Sequence, residues 1–359
     1  MALLFMDGFD TYNAMASFAG HGWTFPGSSN AISFPAGRFG GNAINLYSAW
    51  QQWSQIKTPL STLPSTVIVG TAFYSSKGLP TAVDFARFTD GGSTQMSITW
   101  DTSTWQLRVN NGTTTWPTTY TYTAGSWVYI EWKIVFGTGV SGSTSVRVNG
   151  IQVLNQASIN TAPSGSARTD GYMLFQLTGA EGSNFTIDDL YICDGTGATN
   201  NTFLGDIRVQ YLVPTGAGVK TQFTPSTGSN WQTVDEVPAS DTDYNSANSP
   251  GAMDLFQMAN LAGNGLVYGV QTISRSKKDD AGFRKAAPVF YKASGLGETA
   301  RFYKGSQAPV IDNFLNLPLQ MFNTSPDTGV AWTVDEVNAL QYGYAVGDAG
   351  MFTIDARLV

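Results

Sequence analysis

Asp7, Asp10, Asp188 and Asp189 are the residues whose type and placing best suit a bound ion. Calcium is a hard cation that gathers six to eight oxygens from carboxylates and backbone carbonyls. If the runs holding the two pairs lie side by side in one sheet, a structural calcium ion is the expected occupant. The alternative is that these aspartates cap turns at a solvated strand end.

Other site chemistries lack their parts. Nucleophilic catalysis by a Ser-His-Asp or Cys-His set needs a histidine, and the single one is His21, in the glycine-flanked Gly20-His21-Gly22-Trp23. One histidine and one cysteine, Cys193, do not make a zinc site. No phosphate-binding G-x-x-x-x-G-K-[ST] string is present. Aromatic rings that stack on sugars are the remaining candidates: Trp50, Trp53, Trp100, Trp105, Trp116 and Tyr120. Most tryptophans in a β-sandwich pack its core or rim. Among these residues, Trp116 and Tyr120, in Trp116-Pro117-Thr118-Thr119-Tyr120, make the expected glycan-contacting surface patch.

The elements that must position these groups are strands. Tyr129-Ile130-Glu131-Trp132-Lys133-Ile134-Val135-Phe136 alternates, placing Ile130, Trp132, Ile134 and Phe136 on one face and Glu131 and Lys133 on the other. Ser145 to Leu154 is a hairpin turning at Asn149-Gly150, the pair suited to the positive φ angles of a type I′ turn. Trp105 to Gly112 offers a second hairpin arm, and Phe185 to Ile192 a closing strand. A run of small and turn-forming residues from Cys193 to Asn201 then marks a domain boundary. The second half restarts with a strand-like Phe203 to Leu212, followed by a polar loop from Pro238 to Pro250. Leu266 to Arg275 and Phe283 to Lys292 read as two strands around Lys277-Lys278-Asp279-Asp280-Ala281-Gly282. Thr333 and Glu336 stand at capping-box spacing, so a short helix is expected to about Leu340. Tyr342 to Val346 and Phe352 to Val359 read as a final strand pair. The expected fold is all-β: two antiparallel, jelly-roll-like β-sandwich domains, 1–197 and 198–359, with one short helix near the C-terminus.

Composition agrees with that architecture. The 359 residues are 42% hydrophobic, enough for two cores, but only 13% charged, about half the usual share. A polar, uncharged surface is typical of secreted and virion β-proteins. The net charge of −7 and the lack of a basic cluster argue against nucleic acid as a partner. A single cysteine leaves no intramolecular disulfide. Met1 to Met6 is apolar for too short a stretch to be a signal or a membrane span, so synthesis in the host cytoplasm without export is expected.

These segments resemble a known group. Gly40 to Leu46, Gly125 to Glu131, the Val146–Val153 hairpin and Ile187 to Tyr191 look like a concanavalin A-like, laminin-G-type jelly roll. The opening Met-Ala-Leu-Leu-Phe-Met-Asp-Gly-Phe-Asp, the crossing from Ile187 to Arg208, the turn from Arg275 to Arg284 and the segment Pro326 to Thr333 are similar to tailed-phage and prophage virion proteins. That resemblance spans residues 1 to about 345. It implies a non-enzymatic structural component of the virion, tail-associated in a fibre, tip or baseplate periphery. Its partners would be other virion proteins and host-surface polysaccharide, in an oligomeric particle. A capsid decoration protein and a free-standing carbohydrate-binding module are the alternatives. Glucanases share this fold class through two carboxylates on a Glu-x-Asp-x-x-Glu strand. Here Glu131 has Lys133 as its neighbour on the same face, so no enzymatic activity is expected.

Overall fold

A computed structural model describes residues 3–25, 31–47, 54–58, 64–76, 83–90, 92–165, 172–177, 183–293 and 301–347. The chain divides into two compact units, Met1–Val209 and Gln210–Val359.

The first unit opens with β1 (Leu3–Asp7) and a short helix, α1 (Met15–Gly20), which the sequence pattern did not announce. There follow β2 (Ile32–Ser33), β3 (Ile44–Tyr47), β4 (Ser54–Lys57), β5 (Thr66–Tyr74), β6 (Val83–Asp90) and β7 (Ser93–Trp100). Next come β8 (Gln106–Asn110), β9 (Thr115–Thr121), β10 (Val128–Val135) and β11 (Gly142–Val148). The unit's last strands are β12 (Ile151–Ile159), β13 (Tyr172–Leu177) and β14 (Asn184–Asp194). They form two antiparallel sheets, as in a jelly roll. One runs β12-β11-β10-β5-β14-β3-β2 with β1 also on β14, and the other runs β4-β13-β6-β7-β8-β9.

Alternation decides which side chains meet between the sheets. Phe73 of β5 packs 5.0 Å from Phe85, 5.1 Å from Trp100 and 5.7 Å from Phe185. Along the same core Trp132 meets Phe88 at 5.2 Å. Removing a ring such as Phe73 from this interior costs about 3–5 kcal/mol. The Asn149-Gly150 turn forms as the sequence requires, with φ of 49° and 78°. First and last strands also lie together, Asp7 opposite Leu190 and Leu3 opposite Cys193.

The outward face of the larger sheet departs from expectation. Glu131 does not point to water but is 1% exposed, and β14 is buried on both faces from Phe185 to Cys193. The cover is residues 203–209, the first-unit part of the segment Phe203 to Leu212 that was expected to be a strand and is irregular. Its amides go to side chains instead of a ladder: Leu204 N donates to Tyr191 Oη, Gly205 N to Glu131 Oε1 and Val209 N to Asp189 Oδ1. Glycine at position 8 lets this strap approach, since a Cβ there would sit 2.6 Å from the Val209 carbonyl oxygen. The first unit therefore reaches Val209, past the composition break at 197.

The second unit contains β15 (Pro214–Thr221), β16 (Thr224–Pro225), β17 (Asn245–Ser246), β18 (Met253–Met258), β19 (Val270–Thr272) and β20 (Arg275–Ser276). It continues with β21 (Arg284–Lys292), β22 (Arg301–Lys304), β23 (Ala308–Val310), β24 (Leu315–Asn316), β25 (Gln320–Phe322), α2 (Val334–Ala339) and β26 (Leu340–Val346). Six strands form one sheet, β15-β18-β26-β21-β22 with β23 on β21, beside three two-stranded ribbons. Leu255, Val289 and Ala345 pack on one face, and Phe290 with Trp332 and Leu340 on the other. The capping-box helix is present, the Thr333 hydroxyl accepting from Glu336 N at 3.1 Å. The expected hairpin around Lys277–Gly282 is not. β21 pairs with β26, while β19 and β20 pair with β25 and β24. Local turn chemistry had suggested neighbours, but the apolar run of β21 is satisfied only in the centre of the large sheet. Residues 352–359, expected to form a last strand, lie outside the described residues.

Candidate functional site

The smaller sheet of the first unit turns one alternating set of residues into the core and the other away from it. In β7 Met96, Ile98 and Trp100 go inward, and in β8 Leu107 and Val109 do the same. Residues between them make the outer face. Register then aligns that face across the whole sheet: Lys57 opposite Leu174, Leu174 opposite Arg87, Arg87 opposite Ser97, Ser97 opposite Asn110, and Asn110 opposite Thr115. The row is about 24 Å long, from five strand spacings of ~4.8 Å. A second row beside it holds Thr99, Arg108 and Pro117.

One cation of these rows, Arg108, is held by an ion pair. Arg108 Nη2 lies 2.6 Å from Asp101 Oδ2. Asp101 Oδ1 in turn accepts from the Thr104 hydroxyl and amide at 2.7 and 2.8 Å and from the Ser103 hydroxyl at 2.7 Å. The Thr104 hydroxyl first, with Ser103 beside it, keeps the Asp101 carboxyl well below the usual carboxylate range. The carboxylate is thus charged and fixed, and its other oxygen holds the guanidinium. Lys57 and Arg87 are half-buried, and Ser97 is 2% exposed.

The residues expected to bind calcium fall elsewhere, and they do not make one ligand set. Asp7 is turned into an aromatic cluster, where it accepts from Phe9 N at 2.8 Å, Tyr12 Oη at 2.6 Å and Trp23 Nε1 at 2.9 Å. Burial lifts its pKa, against those three hydrogen bonds. Asp10 lies over Gly41, and a Cβ there would overlap its Oδ1. Asp188 accepts from Arg38 N at 2.7 Å and Asp189 N at 2.8 Å, and Asp189 from Val209 N at 2.8 Å. Among the described residues no group of three or more acidic, histidine or cysteine side chains is arranged to hold a metal ion. Turn amides, ring donors and the Arg38 amide occupy oxygens of Asp7, Asp188 and Asp189.

Trp116 and Tyr120 are both half-buried and lie on the core side of β9. Trp116 is opposite the inward-facing Val109, and Tyr120 is 6.3 Å from Trp100. They edge the sheet without joining its outward rows. Trp50 and Trp53 lie outside the described residues, and Trp100 is core. The sequence reading missed Lys57, Arg87 and Arg108. Alternation in β7 and β8 was the available signal, but register is what puts the three on one face.

No family model matches the chain, and no curated protein matches it. Solved structures do. An endo-β-1,4-glucuronan lyase from Trichoderma reesei aligns at 17% identity over 48% of this chain and 87% of its own, with a TM-score of 0.35. An alginate lyase from Aplysia kurodai aligns at 11% identity over 54% and 97%, with a TM-score of 0.38. A carbohydrate esterase from the Shiga toxin-encoding bacteriophage phi24B aligns at 13% identity over 48% and 89%, with a TM-score of 0.35. At such identities the likeness shows the jelly-roll fold alone. The expectation of a non-enzymatic structural component, with its capsid-decoration and binding-module alternatives, is set aside: the neighbours are polysaccharide lyases and a carbohydrate esterase.

Proposed function

We propose that the first unit is a carbohydrate-active domain that takes an acidic polysaccharide along the outer face of its six-stranded sheet. The observation that carries this reading is the register that aligns Lys57, Arg87, Asn110 and Thr115 across the sheet, flanked by Arg108, with the buried Ser97 between Arg87 and Asn110. An extended chain of sugars offers hydroxyls at every unit and, in uronates, a carboxylate at each. Amides and hydroxyls match the first, and guanidinium forks match the second with paired hydrogen bonds. A guanidinium on a uronate carboxylate also offsets its charge and so makes the adjoining C–H more acidic, a change that bears on elimination and not on hydrolysis. The other outward face of the unit is closed by the strap. The resemblance to tailed-phage proteins supplies the setting we propose: a virion-borne protein meeting host-surface polysaccharide beside other virion proteins.

The test is to incubate the full chain with polyuronates and neutral glucans, reading affinity by calorimetry and cleavage by reducing ends. Ultraviolet absorbance of unsaturated uronate then separates elimination from hydrolysis. Binding of polyuronate that is lost in Arg87→Ala/Arg108→Ala, with or without cleavage of the chain, supports the sheet face as the site. Equal binding of neutral glucans, or unchanged affinity in the double variant, defeats the proposal.

A further inference from the structure

We propose that Trp105 is a stacking platform for the polyuronate, seating the flat C–H side of one sugar unit beside the unit whose carboxylate Arg108 takes, and so selecting uronates with equatorial substituents. The inference rests on the reading of the outward sheet face as a polyuronate site, and it starts from the backbone. Asp101 N donates to Gln106 O at 2.8 Å and Trp105 N to Asp101 O at 2.8 Å, closing the loop of residues 102–105 between β7 and β8. The last position of this loop is left-handed, with a φ of 56° at Trp105. Glycine takes that conformation without a clash, whereas a bulky side chain there is an outlier. The turn thus carries a residue that its own folding disfavours, and strain of this kind gathers at ligand-binding sites.

The core does not take up the ring. Trp100 and Leu107, on either side of the turn, are 1% and 0% exposed, and Trp100 packs on Phe73 and Tyr122 at 5.1 and 5.4 Å. Trp105 is only half-buried. Among the described residues no aromatic ring packs on it and no acceptor takes its indole N–H. Its backbone is nevertheless fixed at both ends, since its carbonyl accepts from Tyr122 N at 3.0 Å. The indole therefore stands on a rigid stem.

The same turn fixes Arg108. Asp101 Oδ1 accepts from the amides and hydroxyls of Ser103 and Thr104, Oδ2 holds Arg108 Nη2 at 2.6 Å, and the Asp101 carbonyl holds Trp105 N. One aspartate thus ties an aromatic ring and a guanidinium to a single turn. A guanidinium takes a carboxylate with paired hydrogen bonds. A pyranose with equatorial substituents turns its C–H bonds toward its two faces, and such a face lies well on the electron-rich face of an indole. An axial hydroxyl or axial linkage breaks that flat surface and lifts it off the ring. A β-1,4-linked glucuronate polymer, with equatorial substituents throughout, fits the pair, and a guluronate polymer, linked through axial bonds, does not.

Calorimetry of the full chain with these two polymers tests this, comparing the parent with Trp105→Gly. Glycine suits the left-handed position, so the variant's urea midpoint should stay at the parent's while its affinity for the glucuronate polymer falls roughly tenfold. Its preference over the guluronate polymer should vanish, and the salt dependence of binding should stay unchanged because no charge is lost. Parent-level affinity or preference in the variant overturns the proposal and leaves the sheet-face reading standing. So does a urea midpoint lowered as far as by Phe73→Ala, which would assign the ring to the core. Failure of the parent to bind either polymer overturns the sheet-face reading and this proposal with it.

Discussion

Asp101 holds Arg108 at 2.6 Å through one carboxylate oxygen, while its other oxygen is fixed by Ser103 and Thr104. The pair lies at the outward rows of the six-stranded sheet, so a turn built for its own stability also orients a cation over the face.

Losing a charged hydrogen-bond donor from such a site costs about 1.5–3 kcal/mol, or roughly 10–100-fold in affinity. Arg108→Ala should therefore weaken polyuronate binding by that factor in calorimetry. Asp101→Asn should weaken it less, because the guanidinium remains but is no longer aimed. Equal affinity in all three proteins would remove Arg108 from the site.

Gly70 is required by Tyr191. A Cβ at position 70 would lie 2.0 Å from the Tyr191 ring, and that ring's hydroxyl ties Glu131 to the strap. Gly70→Ala should destabilise the first unit by about 1–3 kcal/mol in urea unfolding. Gly265→Ala, where nothing lies within 4 Å of the added carbon, serves as the neutral control.

Cys193 should not react with thiol reagents in the folded protein. Burial, with Asp194 and Glu131 as nearby negative charges, pushes its thiol far above the ordinary range. Labelling that tracks the unfolding transition in denaturant is the expected outcome, and rapid labelling in native buffer would contradict the packing of β14 against β5.

Asp254 gives the second unit its own pH dependence. It is 1% exposed, and burial raises it to about 6 against the Asn230 hydrogen bond. The folded unit thus binds an extra proton between about pH 4 and pH 6, and this group's contribution to stability falls as pH rises through that window. Asp254→Asn keeps one oxygen for Asn230 Nδ2, which now bonds Oδ2 at 2.8 Å. Denaturant midpoints at about pH 4.5 and about pH 7.5 should show the variant gaining on the parent at the higher pH.

Several elements were readable without coordinates because their causes are local. The β10 alternation, the Asn149-Gly150 turn and the Thr333 cap depend on residues a few positions apart, and each forms where the pattern requires. Pairing of the first and last strands was also anticipated. The candidate site was not. Lys57, Arg87 and Arg108 belong to three different strands, and only the registers through β13 and β7 bring them onto one face.

Residue order alone settled that this chain is built from strands, since a period of two and paired turn residues leave the backbone little choice. It did not settle which surfaces stay open. Phe203 to Leu212 has the composition of a strand, yet residues 203–209 become a cover because Tyr191, Glu131 and Asp189 present acceptors that a neighbouring strand would otherwise supply. That outcome depends on groups brought together from distant parts of the chain, so only the assembled fold decides it.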